Sequence, residues 1–215
     1  SAICPSATFR RQRRIDEEQI AKAAERTKGA GGPSFLDGHQ WRRILTSNKY
    51  KAEGKELRVE LAKFAQKIST EVLDPNSLEA YTACRLLPLN KDPSSEELQI
   101  RPIGVGEVLR RIVGKAISWC LKDEIQEAAG PLQVSVGLEG GAQAAIHAMK
   151  QIYDQDHTEA ISLVDASNAF NCLNRMAALH NIRVLCPSFA TVLINTYRIP
   201  SRLFITNGGE IKSVE

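Results

Sequence analysis

Asp165 is the acid in this sequence whose neighbours best suit the binding of a metal ion. It follows a short run of strand-favouring residues, 161–164, and precedes small and polar residues and then one bulky ring, Phe170. A strand that ends at a carboxylate holds that group on a rigid element, and hard cations such as Mg²⁺ prefer oxygen ligands. The small residues leave room for a ligand, and the ring can form a wall of that space. An aspartate in this position can also cap a helix or lie in a solvated turn.

Two basic residues, Lys91 and Arg101, lie on two short apolar segments that predict a pair of strands. The segments cover residues 85–91 and 99–103, and a polar loop joins them. We expect the pair to form one hairpin that carries both cations. An ammonium group supplies a point charge and a guanidinium group a two-pronged donor, so the two side chains suit a triphosphate. Each of them taken alone is also compatible with an ordinary surface charge.

The sequence after the second strand predicts a long helix with a basic side. Its apolar stripe consists of Leu109, Ile112, Val113, Ala116, Ile117 and Cys120. Arg110, Arg111 and Lys115 lie off this stripe. They can either contact a nucleic-acid backbone or simply face the solvent.

The N-terminal part predicts helices separated by one glycine-rich segment. Residues 1–28 are polar, rich in arginine and typical of a basic helical extension. Residues 29–38 predict a linker, and they lack the Gly-Lys-Ser/Thr ending of a nucleoside-triphosphate loop. Ser34 or Asp37 can cap the helix that follows. A further helix is indicated by apolar residues at helical spacing: Leu57, Leu61, Phe64, Ala65 and Ile68.

The C-terminal part predicts a loop, two helical regions and a hairpin. Residues 133–141 form a loop with three glycines, which either lets a sugar-phosphate backbone approach closely or simply begins the helix 142–152. Residues 177–197 are mostly helical. Residues 202–214 alternate around Asn207-Gly-Gly, which is a favourable turn for a hairpin.

The amino-acid composition restricts the class of protein but says little about its activity. The chain has 215 residues, 43% hydrophobic and 25% charged, with a net charge of +3, which is too small to indicate a partner. No apolar run reaches the length of a membrane span. Five scattered cysteines predict reduced thiols in an intracellular protein, nuclear or cytoplasmic and not secreted. The sequence begins with Ser1 and ends just after the hairpin, so we interpret it as a piece of a longer polypeptide.

Taken in order, these motifs resemble the N-terminal half of a reverse transcriptase. The resemblance is to retrotransposons that lack long terminal repeats and to their group-II-intron-like relatives, and it spans about residues 29–215. It rests on Gly32-Pro-Ser-Phe-Leu-Asp37, Leu87-Pro-Leu-Asn-Lys91, Ile100-Arg-Pro-Ile103 with its long helix, the glycine loop 133–141 with its helix, Asp165-Ala-Ser-Asn-Ala-Phe170, and the Asn207-Gly-Gly hairpin.

The resemblance implies an α+β polymerase fold that is incomplete at its C-terminus. After the extension 1–28, a helix-rich fingers region would occupy residues 29–130 and a partial palm residues 131–215. The palm sheet would be antiparallel. Its central strand would be 161–164, paired with the hairpin 202–214 or lying beside it.

The resemblance also implies a role for each site residue. Asp165 would be the first catalytic, metal-binding aspartate, and the carbonyl of Ala166 would bind a second Mg²⁺ ion. Phe170 would be a steric gate that favours deoxynucleotides, while Lys91 and Arg101 would hold the incoming triphosphate. The implied partners are an RNA template, a DNA primer, deoxynucleoside triphosphates and the remainder of a parent polyprotein, with no membrane.

One departure from the family pattern is large. Such enzymes carry a later Tyr/Phe-x-Asp-Asp hairpin, whereas this sequence has no aspartate after Asp165. Two-metal chemistry needs several carboxylates, so we expect the 215-residue chain alone to be inactive. Two alternatives remain, a non-catalytic RNA-binding remnant of a retroelement and an RNA-directed RNA polymerase with a related palm. Phe170 argues against the latter, because ribonucleotides need more room at that position.

Overall fold

The fold places most of its helical packing before residue 130, and the helix Pro187–Tyr197 adds to it from the C-terminal part. A computed structural model describes residues 14–94, 98, 100–166, 169, 172–207 and 210–214. The helices in these ranges are α1 (Glu17–Glu25), α2 (Gly38–Thr46), α3 (Lys51–Thr70), α4 (Glu79–Thr82), α5 (Val108–Cys120), α6 (Lys122–Ala129), α7 (Gly141–Tyr153), α8 (Arg175–Leu185) and α9 (Pro187–Tyr197), with single 3₁₀ turns at Asn48–Tyr50 and Pro75–Leu78.

The described residues also form one mixed sheet of four strands. The strands are β1 (Cys84–Asn90), β2 (Ile100–Gly106), β3 (Leu203–Asn207) and β4 (Glu210–Val214), in the order β2-β1-β3-β4. β1 and β2 are antiparallel, and so are β3 and β4, whereas β1 and β3 run parallel. The α+β class is therefore confirmed, and the prediction of a purely antiparallel sheet is wrong.

The main core lies where α1, α2, α3 and α5 meet. Its largest fully buried side chains are Ile20, Leu45, Ile68, Val108, Ile112, Val113 and Ile117. The four of them on α5 recur at helical spacing, so this helix turns one apolar stripe inward. Burial of each such side chain contributes about 1.5–3 kcal/mol. The amphipathic stripes predicted for α3 and α5 are confirmed.

The first two helices begin at caps that fix their positions. Asp16 caps α1 through the amide of Gln19, and Asp37 caps α2 through the amide of Gln40. In both cases the side-chain oxygen of the glutamine accepts a hydrogen bond from the amide of the cap residue, so two backbone amides are satisfied at once. Of the two residues proposed to cap α2, Asp37 has this role. α1 belongs to the main core, since Ile20, Ala23 and Ala24 are buried there.

Residues 161–164 do not form the predicted central strand. The segment is irregular, and its side chains face the solvent, with Leu163 81% and Val164 91% exposed. The predicted partner, the hairpin of β3 and β4, pairs with β1 instead, through Cys84 opposite Leu203. β4 occupies the other edge of β3. β1 therefore pairs with Leu203 and Phe204 at the start of β3, β4 pairs along its other edge, and residues 161–164 belong to no strand of the described sheet.

α9 connects the C-terminal part to the main core. Val192 joins the core, while Leu179, Ala190 and Ile194 form a smaller cluster between α8 and α9. Asn195 lies buried against the end of α3, where its side chain bonds three backbone groups. These contacts hold α9 in place between the two clusters.

Candidate functional site

The hairpin of β1 and β2 brings Lys91 and Arg101 to the same end of the sheet. Arg101 lies directly opposite Leu89, and Lys91 lies two residues further along, just beyond the end of β1. Such diagonal neighbours are about 7–8 Å apart in a regular antiparallel ladder. Both side chains are exposed. The predicted hairpin is therefore present and carries both cations at its loop end, while their binding of a triphosphate stays a prediction.

Asp165 and Ala166 lie in the irregular segment that follows α7. Both residues are exposed, and the chain around them forms neither helix nor strand. The prediction that Asp165 sits at the end of a strand is therefore wrong. Within the described residues no ion pair joins Asp165 to Lys91 or Arg101. The structure thus places the two cations together on one hairpin and Asp165 in a separate, solvent-facing segment.

Phe170, the predicted steric gate, lies outside the described residues, as do positions 167, 168 and 171. The role of Phe170 stays a prediction from the sequence.

The donor set around Asp165 does not fit two Mg²⁺ ions by itself. Across the described ranges no group of three or more His, Cys, Asp or Glu side chains is arranged to hold a metal. Asp154, Asp156 and Glu159 precede Asp165 in sequence, and none of them forms such a group with it. One carboxylate and one carbonyl leave most positions of two octahedral ions to water. The described residues around Asp165 are therefore too few to hold two Mg²⁺ ions.

The basic residues of α5 bind carbonyl groups of the protein itself. Arg110 Nη1 donates to the carbonyl of Thr82 at 3.4 Å, and its guanidinium lies 5.2 Å from the ring centre of Tyr197. Arg111 donates to the carbonyls of Lys28, at 2.9 Å, and Ala30. Because these donors point into the protein, fewer of them face outward to bind phosphate. A nucleic-acid contact by Arg110 and Arg111 stays a prediction.

Lys115 has a similar internal partner. Its Nζ donates to the carbonyl of Arg26 at 2.7 Å. Partial burial lowers the pKa of this lysine, and the positive charges of Arg111 and Arg26 lower it further. Together with Arg111, Lys115 holds the chain between α1 and α2 against α5. Its proposed contact with nucleic acid is also untested.

The segment 29–38, predicted to be a linker, is a tightly held loop. The buried carboxylate of Glu107 accepts two hydrogen bonds from Ser34, one from its amide and one from its hydroxyl, each 2.7 Å long. At Gly32 a Cβ atom would lie only 2.7 Å from the amide nitrogen of Glu107, so only glycine fits there. The loop is thereby fixed to the start of α5.

The same loop forms a small recess with the sheet. Phe35 has a φ of 61°, which is unusual for a residue with a side chain, and its ring is half exposed. The guanidinium of Arg85 lies 4.7 Å from the ring centre and donates to the carbonyl of Gly31 at 3.0 Å. Pro33, Phe35, Arg85, Phe204 and Thr206 line a space of about 140 Å³.

Sequence reasoning missed this arrangement, although it noticed both partner segments separately. Gly32 to Asp37 form one of the sequence motifs, and Glu107 lies just before the helix predicted after the second strand. Ser34 was considered only as a helix cap, whereas its hydroxyl and amide bind Glu107. The available signal in the sequence was Gly106 directly before Glu107, because a glycine allows another backbone segment to approach closely.

The hydrogen bonds of Glu107 should stabilise the protein measurably. Glu107→Ala leaves the amide and hydroxyl of Ser34 without their charged acceptor, and we expect a loss of about 2–3 kcal/mol in the free energy of unfolding. Ser34→Ala removes only the hydroxyl bond, and we expect a loss of about 1 kcal/mol. Urea denaturation followed by circular dichroism measures both. If Glu107→Ala costs no more than Ser34→Ala, the amide bond contributes nothing.

A scan against protein-family models and a search of curated proteins found no match for this chain. No helix in the described ranges is long and apolar enough to cross a membrane.

Proposed function

We propose that this chain contributes to an RNA-directed DNA polymerase, in which its β1–β2 hairpin binds the incoming deoxynucleoside triphosphate. The observation that carries this proposal is the antiparallel pairing that puts Lys91 and Arg101 at the loop end of the same hairpin. A triphosphate carries several negative charges on adjacent phosphates, and two neighbouring cations can bind it at separate oxygens. The order of sequence motifs supports the same assignment.

The remaining roles in the proposal belong to Asp165, Ala166 and Phe170. Asp165 and the carbonyl of Ala166 would bind Mg²⁺ together with further carboxylates, and Phe170 would exclude a ribose 2′-hydroxyl. In phosphoryl transfer, bound Mg²⁺ neutralises the charge that develops on the phosphate oxygens. Within this chain, the tasks of Lys91 and Arg101 are to bind and orient the triphosphate before any chemistry takes place. The partners would be an RNA template and a DNA primer.

Triphosphate binding to the 215-residue chain tests the proposal directly. We expect Lys91→Ala and Arg101→Ala each to weaken binding of a fluorescent deoxynucleoside triphosphate by about tenfold or more, since a charged hydrogen bond contributes about 1.5–3 kcal/mol. Fluorescence anisotropy measures the dissociation constants.

Lys51→Ala and Arg43→Ala are matched controls, because both side chains are exposed basic residues on helices outside the hairpin. These variants should leave the dissociation constant within about twofold, as expected for distant exposed charges. Equal losses in all four variants would mean that the triphosphate binds by net charge alone. In that case the chain would be better explained as a non-catalytic RNA-binding module.

A further inference from the structure

α7 has an apolar face that no other part of the described chain covers. Ala142, Ala145, Met149 and Ile152 follow one another at spacings of three, four and three residues, which keeps them in line along one side of the helix. Ile146 and Tyr153 flank this line. Ile146 is 65%, Ile152 53% and Tyr153 63% exposed. Among the described elements, no helix or strand packs along α7.

An isolated helix of this length has little stability of its own in water. α7 has 13 residues, which is near the lower limit for a marginally stable free helix. Its first residues are not capped by a side chain, since Gly140 occupies the cap position. Most of the stability of a protein helix comes from packing of its apolar face. A partner packed on the exposed face would therefore stabilise α7.

We propose that this partner is the α7 helix of a second copy of the chain, packed antiparallel across a two-fold axis. The N-terminal half of the face carries the small residues Ala142 and Ala145, and the C-terminal half carries Met149, Ile152 and Tyr153. Antiparallel packing sets the small half of one helix against the large half of the other. The small side chains of each helix then leave room for the large side chains of the other, as in the interdigitated seam of a coiled coil.

Charge favours the same direction. Glu139 lies just before the N-terminal end of α7, and Lys150 lies in its last turn. In an antiparallel pair, Lys150 of one copy lies at the same end of the pair as Glu139 of the other, and the two-fold axis repeats this arrangement at the other end. A parallel pair would place Glu139 beside Glu139 and Lys150 beside Lys150, which is unfavourable. A second copy in antiparallel orientation is therefore complementary in both shape and charge.

The interface is small, so the dimer should be weak. A helix of 13 residues is about 20 Å long, and one face of it covers less than the roughly 800 Å² per partner of a standard interface. We expect a dissociation constant on the order of 100 µM, as for a transient contact. The dimer should therefore appear only at high protein concentration.

Sedimentation velocity of the 215-residue chain at increasing concentration tests the proposal. We expect the weight-average mass to rise toward that of a dimer, and Ile152→Glu to weaken association at least tenfold, because the new charge would be buried against the small apolar residues of the other copy. Leu132→Glu is the matched control, since Leu132 is 94% exposed and lies outside α7. It should leave association unchanged. Circular dichroism verifies that both variants keep their helices.

Charge reversal tests the orientation. Glu139→Lys and Lys150→Glu should each weaken the dimer severalfold, and the double variant should recover the affinity of the original chain. A chain that stays monomeric up to about 500 µM, five times the expected dissociation constant, would overturn the proposal. The proposal would also be overturned if Ile152→Glu left association intact and Leu163→Glu abolished it. The contact would then lie on residues 161–164 and not on α7.

Discussion

Asp165→Asn should abolish nucleotide addition by an active polymerase that contains this chain, while leaving the binding of primer and template intact. The amide is nearly the same size as the carboxylate, but it lacks the negative charge that a hard cation prefers. Metal ligation contributes several kcal/mol to phosphoryl transfer, so we expect a loss of about 10³-fold or more in the rate of extension. Primer extension on an RNA template gives this rate, and a gel-shift titration gives the affinity for primer and template.

Asp156→Asn is the matched control, because Asp156 is another exposed acid in the turn after α7. It should extend primers at a rate close to that of the original protein. Substantial synthesis by Asp165→Asn would remove Asp165 from the proposed metal site. A parallel loss of primer–template affinity would instead indicate that Asp165 supports the fold or the nucleic-acid surface. The exposed position of Asp165 makes a loss of folding an unexpected cause.

The elements that could be predicted from sequence are those with local signals. The hairpin of β3 and β4 follows from alternation around Asn207-Gly-Gly, and α5 follows from an apolar stripe at helical spacing. Asp37 is a residue type that caps helices, and Gln40, three residues later, completes the spacing of a capping box. In each case the residues that decide the structure lie within a few positions of one another.

The strand predicted at residues 161–164 shows the limit of such reasoning. A run of β-branched and aliphatic residues indicates a preference for extended backbone, but it does not identify a neighbouring strand. β1 provides the edge that β3 pairs with, and this pairing joins Cys84 to Leu203, 119 positions along the chain. No local pattern predicts a contact over that separation.

The contacts of Arg111, Lys115 and Glu107 were unpredictable for a related reason. Backbone carbonyls and amides are present at every residue, so a side chain that binds one of them leaves no signature at the partner position. The cations of α5 have the residue types of phosphate ligands, and the structure gives them carbonyls of residues 26–30 as partners. Their residue types indicate that they donate hydrogen bonds, and the fold determines which acceptor group each of them bonds.

Asn195→Ala should be the most destabilising single substitution at the junction of α9 and α3. The side-chain amide of Asn195 donates to the carbonyls of Ile68, at 2.9 Å, and Glu71, at 2.7 Å, and its oxygen accepts from the amide of Leu73 at 2.9 Å. Asn195 is only 3% exposed, so water cannot easily replace these bonds. We expect the free energy of unfolding to fall by about 3 kcal/mol or more, since each unsatisfied buried group costs about 1–3 kcal/mol.

Asn174→Ala provides the matched control for this effect. Asn174 caps α8 by accepting one hydrogen bond, at 3.0 Å, from the amide of Ala177, and it is exposed. We expect its loss to cost about 1 kcal/mol, the usual value for a helix cap. Urea denaturation followed by circular dichroism gives both values. If the two variants lose equal stability, water must enter the cavity and bond the freed carbonyls, and α9 would then be held to α3 by its apolar contacts alone.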